Sequence, residues 1–233
     1  MTSRQRTVDY LAAACIVIAF GGLFFGRLMI YPVSTAPGNF LERVAARSDA
    51  WHVGHQCMLV GMIGVIPAAI ALRRALRARS PWLTDFAAAL AIFGSSLGVG
   101  QYALDFAMLA AAQVEPPEAG AQFLKSLQAD LFVQWAFYKL PDVAQVGLIL
   151  FTVALWRQGA GWRGPATLAS LAVAAALIGP LLVGPMGIRV ALGLSFLAFS
   201  TVAWKIVVRP PMPSAAAART ENGQTPAVTP DKA

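Results

Sequence analysis

Ionisable and amide side chains stand inside the long apolar runs of this chain, at spacings that suggest chemistry. Gln101 and Asp105 share one run, and Lys139, Asp142 and Gln145 share the next. Arg27 lies in the first, while His52, His55 and Gln56 open the second. A charge inside a membrane span costs at least about 2.5 kcal/mol even on the lenient insertion scale, so such residues pair with one another or line a site.

Depth sharpens this expectation. At ~1.5 Å of rise per residue, Asp105 lies ~10 Å below the end of its run and Lys139 ~12 Å below the start of the next. Opposite charges level with each other on consecutive antiparallel helices predict an ion pair. By the same count Gln101 and Asp142 each lie ~16 Å deep and would form a second rung beneath it. Gly94, Gly98, Gln101 and Asp105 fall on one helix side, so a close-packing surface and two polar groups should face the bundle together. Trp135, Lys139 and Asp142 likewise share a side, next to Pro141, which removes a backbone hydrogen bond.

Gln101, Asp105, Lys139 and Asp142, joined by Arg27 if that side chain turns inward, are therefore the candidate ligand or ion pocket. A guanidinium binds carboxylate or phosphate through two parallel hydrogen bonds, so an inward Arg27 would favour an anionic small molecule. The competing reading of the same residues is a structural clamp between two helices.

His52 and His55 are three residues apart, which places both imidazoles on one helix face. They are the candidate metal ligands, with Gln56, Asp105 and Asp49 available to complete the three or four that zinc requires. Two histidines on one helix do not supply opposed axial ligands to a haem. The plainer alternative is a pair of interfacial histidines bonded to water or headgroups.

The chain has no glycine-rich phosphate loop with its lysine, no Gly-x-Ser-x-Gly and no His-Glu-x-x-His. ATP-driven chemistry is not expected, no catalytic residue is assigned, and no cofactor is called for beyond the metal alternative.

The elements that must carry these residues are membrane spans. Of 233 residues, 58% are hydrophobic and 12% are charged, against about 25% charged in soluble domains. Six apolar runs, at 8–31, 52–72, 86–112, 131–156, 166–183 and 187–208, are each long enough for the about 20 residues a spanning helix needs. They are continuous and lack a period of two, so helices are expected and barrel strands are excluded. The fold class is all-α, a polytopic integral membrane protein with six transmembrane helices.

Arg73, Arg74, Arg77, Arg79, Arg157 and Arg163 fill alternate connections, whereas Arg43, Arg47 and Lys125 are the basic residues of the others. The positive-inside rule then places both termini in the cytoplasm, and the Ala- and Arg-rich usage with the compact build point to a bacterial-type inner (plasma) membrane. Basic residues that flank spans also account for the net charge of +7 without a nucleic-acid partner. The bilayer is the expected partner.

Two outer connections contain amphipathic stretches. Asn39 and Glu42 have capping-box spacing, followed by Phe40, Leu41 and Val44 on one face and Arg43 and Arg47 on the other. Phe123, Leu124 and Leu127 form the apolar side of the second stretch, after Pro116 and Pro117. They would be lids over a cavity or ordinary interfacial helices. Cys15 and Cys57 lie at different depths and should not pair, and residues 209–233 read as a disordered proline-containing tail.

Three functions follow as expectations. The first is small-molecule binding or transport through a polar pocket in the outer half of the bundle. The second is a membrane-embedded metal- or haem-dependent oxidoreductase or hydrolase using His52 and His55. The third is a non-catalytic scaffold with a structural intramembrane ion pair.

Overall fold

The computed structural model describes residues 3–35 and 38–208, which are helical almost throughout and contain no strand. The expected tail at 209–233 lies outside the described residues. The helices are α1 (Ser3–Met29), α2 (Tyr31–Thr35), α3 (Phe40–Ala46), α4 (Ser48–Leu76), α5 (Pro81–Ala112), α6 (Pro117–Ala129), α7 (Leu131–Val133), α8 (Val143–Arg157), α9 (Arg163–Val183) and α10 (Pro185–Val207). A π-helical turn, Gln134–Lys139, and a 3-10 turn, Leu140–Asp142, join α7 to α8 in one continuous span. Six helices are long and apolar enough to cross a membrane, which makes the chain compatible with a multi-pass membrane protein. They extend a turn or so beyond several of the apolar runs because polar residues such as Arg4 and Asp49 add helical turns at the ends.

Contacts between named residues fix the arrangement. Gly22 and Gly26 of α1 press on Gly61, Cys57 and Gly54 of α4, running in the opposite direction. Met62 of α4 meets Gly98 of α5, Gly94 of α5 meets Ala144 of α8, and Phe20 of α1 stacks on Phe199 of α10 with ring centroids 4.1 Å apart. α9 folds back on α10 through Gly179 and Gly187. The turn between them uses Gly184 at φ 57°, a backbone that side chains rarely adopt, with Pro185 starting α10. Together with a lighter α8–α9 contact, the six long helices close a ring in chain order.

Small residues at these crossings are the physical reason the helices approach so closely. Between apolar surfaces in lipid there is no hydrophobic drive to associate, so backbone proximity and dispersion must hold the bundle. A methyl group built on Gly22 would lie 2.7 Å from the Cys57 carbonyl oxygen, and one on Gly61 would lie 2.6 Å from the Leu23 nitrogen.

The two ends of the ring differ. At the end bearing Arg73, Arg74, Arg77 and Arg79, here the arginine end, Ile16, Leu72, Leu76, Leu83, Phe151, Leu155, Phe199 and Val202 form one dry core. Arg73 Nε donates to Asp85 at 2.6 Å there, and Gln158 donates to the Leu76 carbonyl at 2.8 Å, satisfying an orphan acceptor at the end of α4. At the other end, the lid end, Val33, Val44 and Trp51 form only a small separate cluster, and open space remains.

Both expected amphipathic stretches are helices at the lid end. Glu42 N–H donates to Asn39 Oδ1 at 3.0 Å and Asn39 N–H to Glu42 Oε2 at 3.1 Å, completing the capping box that starts α3. Val44 is buried and Phe40 packs edge-on against Trp51, so α3 sits down on the bundle. α6 is held more loosely, with Phe123 exposed and Gly120 packed on the Ala111 carbonyl. Cys15 and Cys57 are free thiols.

Candidate functional site

The open space at the lid end is a cavity of about 380 Å³ lined by Arg27 and Ile30 of α1, Phe40 and Arg43 of α3, Trp51 and His55 of α4, Gln101, Asp105 and Met108 of α5, and Tyr138 of the π turn. Its polar wall is built from three residues of α4 and α5. Trp51 Nε1 donates to the backbone carbonyl of Asp105 at 2.9 Å. His55 Nδ1 donates to the Trp51 carbonyl at 2.7 Å, since a carbonyl oxygen only accepts. His55 Nε2 then faces Asp105 Oδ2 at 3.4 Å. His55 is 3% exposed and Asp105 8%.

Aromatic rings hold this triangle in place. The Trp51 and His55 rings lie 4.1 Å apart between centroids, while Tyr102 and Phe106 of α5 meet His55 edge-on at 6.1 Å and 6.3 Å. The imidazole is clamped on one side by its own helix and on the other by α5.

Three of the expected pocket residues, Arg27, Gln101 and Asp105, come together on this cavity. The expected ion pair does not form: the Asp105 carboxylate faces His55, and Lys139 and Asp142 stand exposed on the span's outer surface. The cause is local. Pro141 has no N–H and its ring would collide with the carbonyl four residues back, so the chain widens and Leu140 N–H reaches the Trp135 carbonyl five residues back. Residues in such a turn advance by less than the ~100° of an α-helix, and the face counted from α-helical spacing rotates away. Tyr138, instead of Lys139, is carried to the cavity. Its Oη is buried and has no hydrogen-bond partner among the described residues. Gln145 lines a different crevice, between α8, α9 and α10.

The two histidines also separate. His52 is exposed, and the Gln56 amide donates to its Nε2 at 2.8 Å, occupying the lone pair a metal would need. Both nitrogens of His55 are engaged with Trp51 and Asp105. Among the described residues no group of three or more His, Cys, Asp or Glu side chains is placed to hold a metal ion. The geometry therefore does not assemble the centre expected from His52 and His55.

Arg43, Trp51 and Tyr138 are the hydrogen-bonding cavity residues that the sequence reading did not assign to a site. Arg43 lies on the same side of α3 as Phe40, three residues before it, and turns into the cavity instead of away from the bundle. Trp51 precedes His55 by four residues, the spacing that stacks neighbours along a helix. Tyr138 carries a signal only through Pro141.

The basic groups are unequal. Arg27, half-buried in the last turn of α1, makes no ion pair among the described residues. Arg189, near the start of α10, is 5% exposed, with its guanidinium carbon 3.3 Å from the Tyr31 ring centroid. A planar guanidinium over an aromatic face is a favourable cation–π contact.

No family model, curated protein or solved structure matches the chain.

Proposed function

We propose that this chain is a multi-pass protein of the inner (plasma) membrane that binds a small anionic molecule in the lid-end cavity, as a receptor or as one station of a transport path. The arginine end and both termini face the cytoplasm in this reading, supported by the concentration of Arg73, Arg74, Arg77 and Arg79 at that end. The cavity then opens toward the outer leaflet.

One observation carries the assignment. Arg27 lines the cavity and makes no ion pair among the described residues, while the carboxylate on the same wall, Asp105, already faces His55. The wall thus presents the Arg27 guanidinium without a carboxylate paired to it among the described residues, in surroundings where unbalanced charge is costly. An anion balances it. Gln101 and the Tyr138 hydroxyl add neutral hydrogen-bonding groups, and 380 Å³ lies within the about 300–1,000 Å³ typical of small-molecule sites.

Calorimetry on the purified protein in nanodiscs tests this with acetate, succinate, inorganic phosphate and methanesulfonate, and with choline as a cation control. At least one anion should bind and choline should not. A lost charge-assisted hydrogen bond is worth about 1.5–3 kcal/mol, so Arg27→Gln should weaken binding by roughly tenfold or more. Binding of the same anion by a folded Arg27→Gln protein with unchanged affinity would overturn the reading, as would silence from the whole anion panel.

A further inference from the structure

We propose that His55 and Asp105 form a proton-holding dyad in the cavity wall, and that occupancy of the anion site is linked to the proton it carries. The linkage rests on the anion-binding reading; the dyad itself does not.

The argument is a count of protons. His55 Nδ1 must carry a proton because its partner, the Trp51 carbonyl, has only lone pairs to offer. A neutral imidazole with that tautomer presents a bare lone pair at Nε2. Facing it at 3.4 Å is Asp105 Oδ2, which as a carboxylate also has only lone pairs. The imidazole is held in place: the Trp51 ring packs against it at a tilt and also anchors the Asp105 backbone, and Tyr102 and Phe106 flank it. Two acceptors opposed on nearly buried side chains repel, and one added proton removes the conflict. It makes an imidazolium facing a carboxylate or an imidazole facing a carboxylic acid, and in both forms the pair holds one proton beyond the one given to Trp51.

The charged and titratable groups facing the dyad decide the sign of the linkage. Arg27 from α1 and Arg43 from α3 oppose an added positive charge. Tyr102 of α5 and Tyr138 of the π turn contribute phenol groups, while His52 on the same helix is exposed and bonded to Gln56. An anion held by Arg27 cancels the opposition of that guanidinium, so anion and proton favour each other, and this coupling is reciprocal. Binding should take up a proton, and affinity should rise as pH falls through the range in which the dyad empties. For one coupled proton the limit is about tenfold per pH unit.

The chain contains 2 histidines, so nitrogen NMR of histidine-labelled protein in nanodiscs gives two residues, and His52→Gln leaves only His55. Asp105→Asn is the decisive variant, because its amide can donate to Nε2 and so replaces the shared proton while keeping the shape. In His52→Gln protein, Nδ1 should stay protonated throughout, and the proton shared at Nε2 should titrate out together with a carboxyl band in the infrared spectrum. Both signals should disappear in the His52→Gln, Asp105→Asn double variant. A His55 that titrates alike with aspartate or asparagine opposite, or an Nε2 that is bare beside an ionised Asp105 at every pH, would overturn the dyad. Repeating the titration with methanesulfonate, which keeps one negative charge throughout, should move the midpoint upward. An unmoved midpoint overturns the linkage, and the calorimetric result then tells whether anion binding failed with it.

Discussion

Trp51 Nε1 and the backbone carbonyl of Asp105 are joined by a 2.9 Å hydrogen bond that ties α4 to α5 at the lid end of the bundle. The same tryptophan accepts from His55 and packs against Phe40 of α3. One residue therefore ties two spans through its indole N–H, orients the imidazole through its backbone carbonyl and seats the short helix α3 through its ring.

Trp51→Phe keeps an aromatic ring for Phe40 and His55 but removes the donor. The Asp105 carbonyl keeps its helical role, so the loss should be that of one ordinary hydrogen bond, about 0.5–1.5 kcal/mol. Thermal unfolding in detergent should show a modest drop. Unchanged stability would mean that this bond does not anchor α5.

The α1–α4 crossing depends on backbone contact. Gly22→Ala or Gly61→Ala places a methyl group against main-chain atoms that cannot rotate aside, and overpacking of this kind costs about 1–3 kcal/mol. Gly161→Ala is the control, since nothing lies within 4 Å of a methyl group there. Melting temperatures of the three variants check the prediction, and equal values for all three would remove glycine contact as the basis of the crossing.

Which parts of this architecture can be read from residues depends on how far the reading must reach. Uninterrupted apolar runs report burial in lipid directly, so the six long helices follow from hydropathy, and Asn39 with Glu42 announces the start of α3 because a capping box is local. Facing Asp105 with Lys139 required helical angles to accumulate faithfully across several turns. Pro141 breaks that count by widening the preceding turn, and a residue's direction then depends on how the backbone accommodates it. His52 and His55 diverge for a related reason: three residues is close to a turn but short of it, and the edge of the buried stripe runs between them. The cavity wall was legible in part, through Arg27, Gln101, Asp105 and His55, because buried polar groups in apolar runs stand out. Trp51 and Arg43 were not, since a tryptophan resembles core and an arginine on a short amphipathic helix resembles a solvated face.

Lys139 and Asp142 lie outside the cavity, so their charges should be dispensable for it. Lys139→Gln and Asp142→Asn should leave anion affinity within about twofold of the parent, the usual range for substitutions away from a site. The same calorimetric titrations that show loss in Arg27→Gln provide the comparison. Loss of binding on neutralising Asp142 would return that residue to the centre from which the structure removes it.

The π turn makes a sharper demand, because it gives adjacent residues opposite surroundings. In a chain whose Cys15 and Cys57 are replaced by serine, single cysteines at 27, 101 and 138 line the cavity, whereas those at 139 and 142 face the bundle's exterior. A membrane-impermeant thiol reagent should label the first group from one side of the membrane only, and a bound anion should slow the reaction at 138. Positions 139 and 142 should gain no protection from the anion. The labelled side also reads the orientation: reaction from the cytoplasm would invert the proposed topology while leaving the cavity intact. Equal anion protection at 138 and 139 would instead show that the turn does not divide these neighbours, and the reason for excluding Lys139 from the site would be lost.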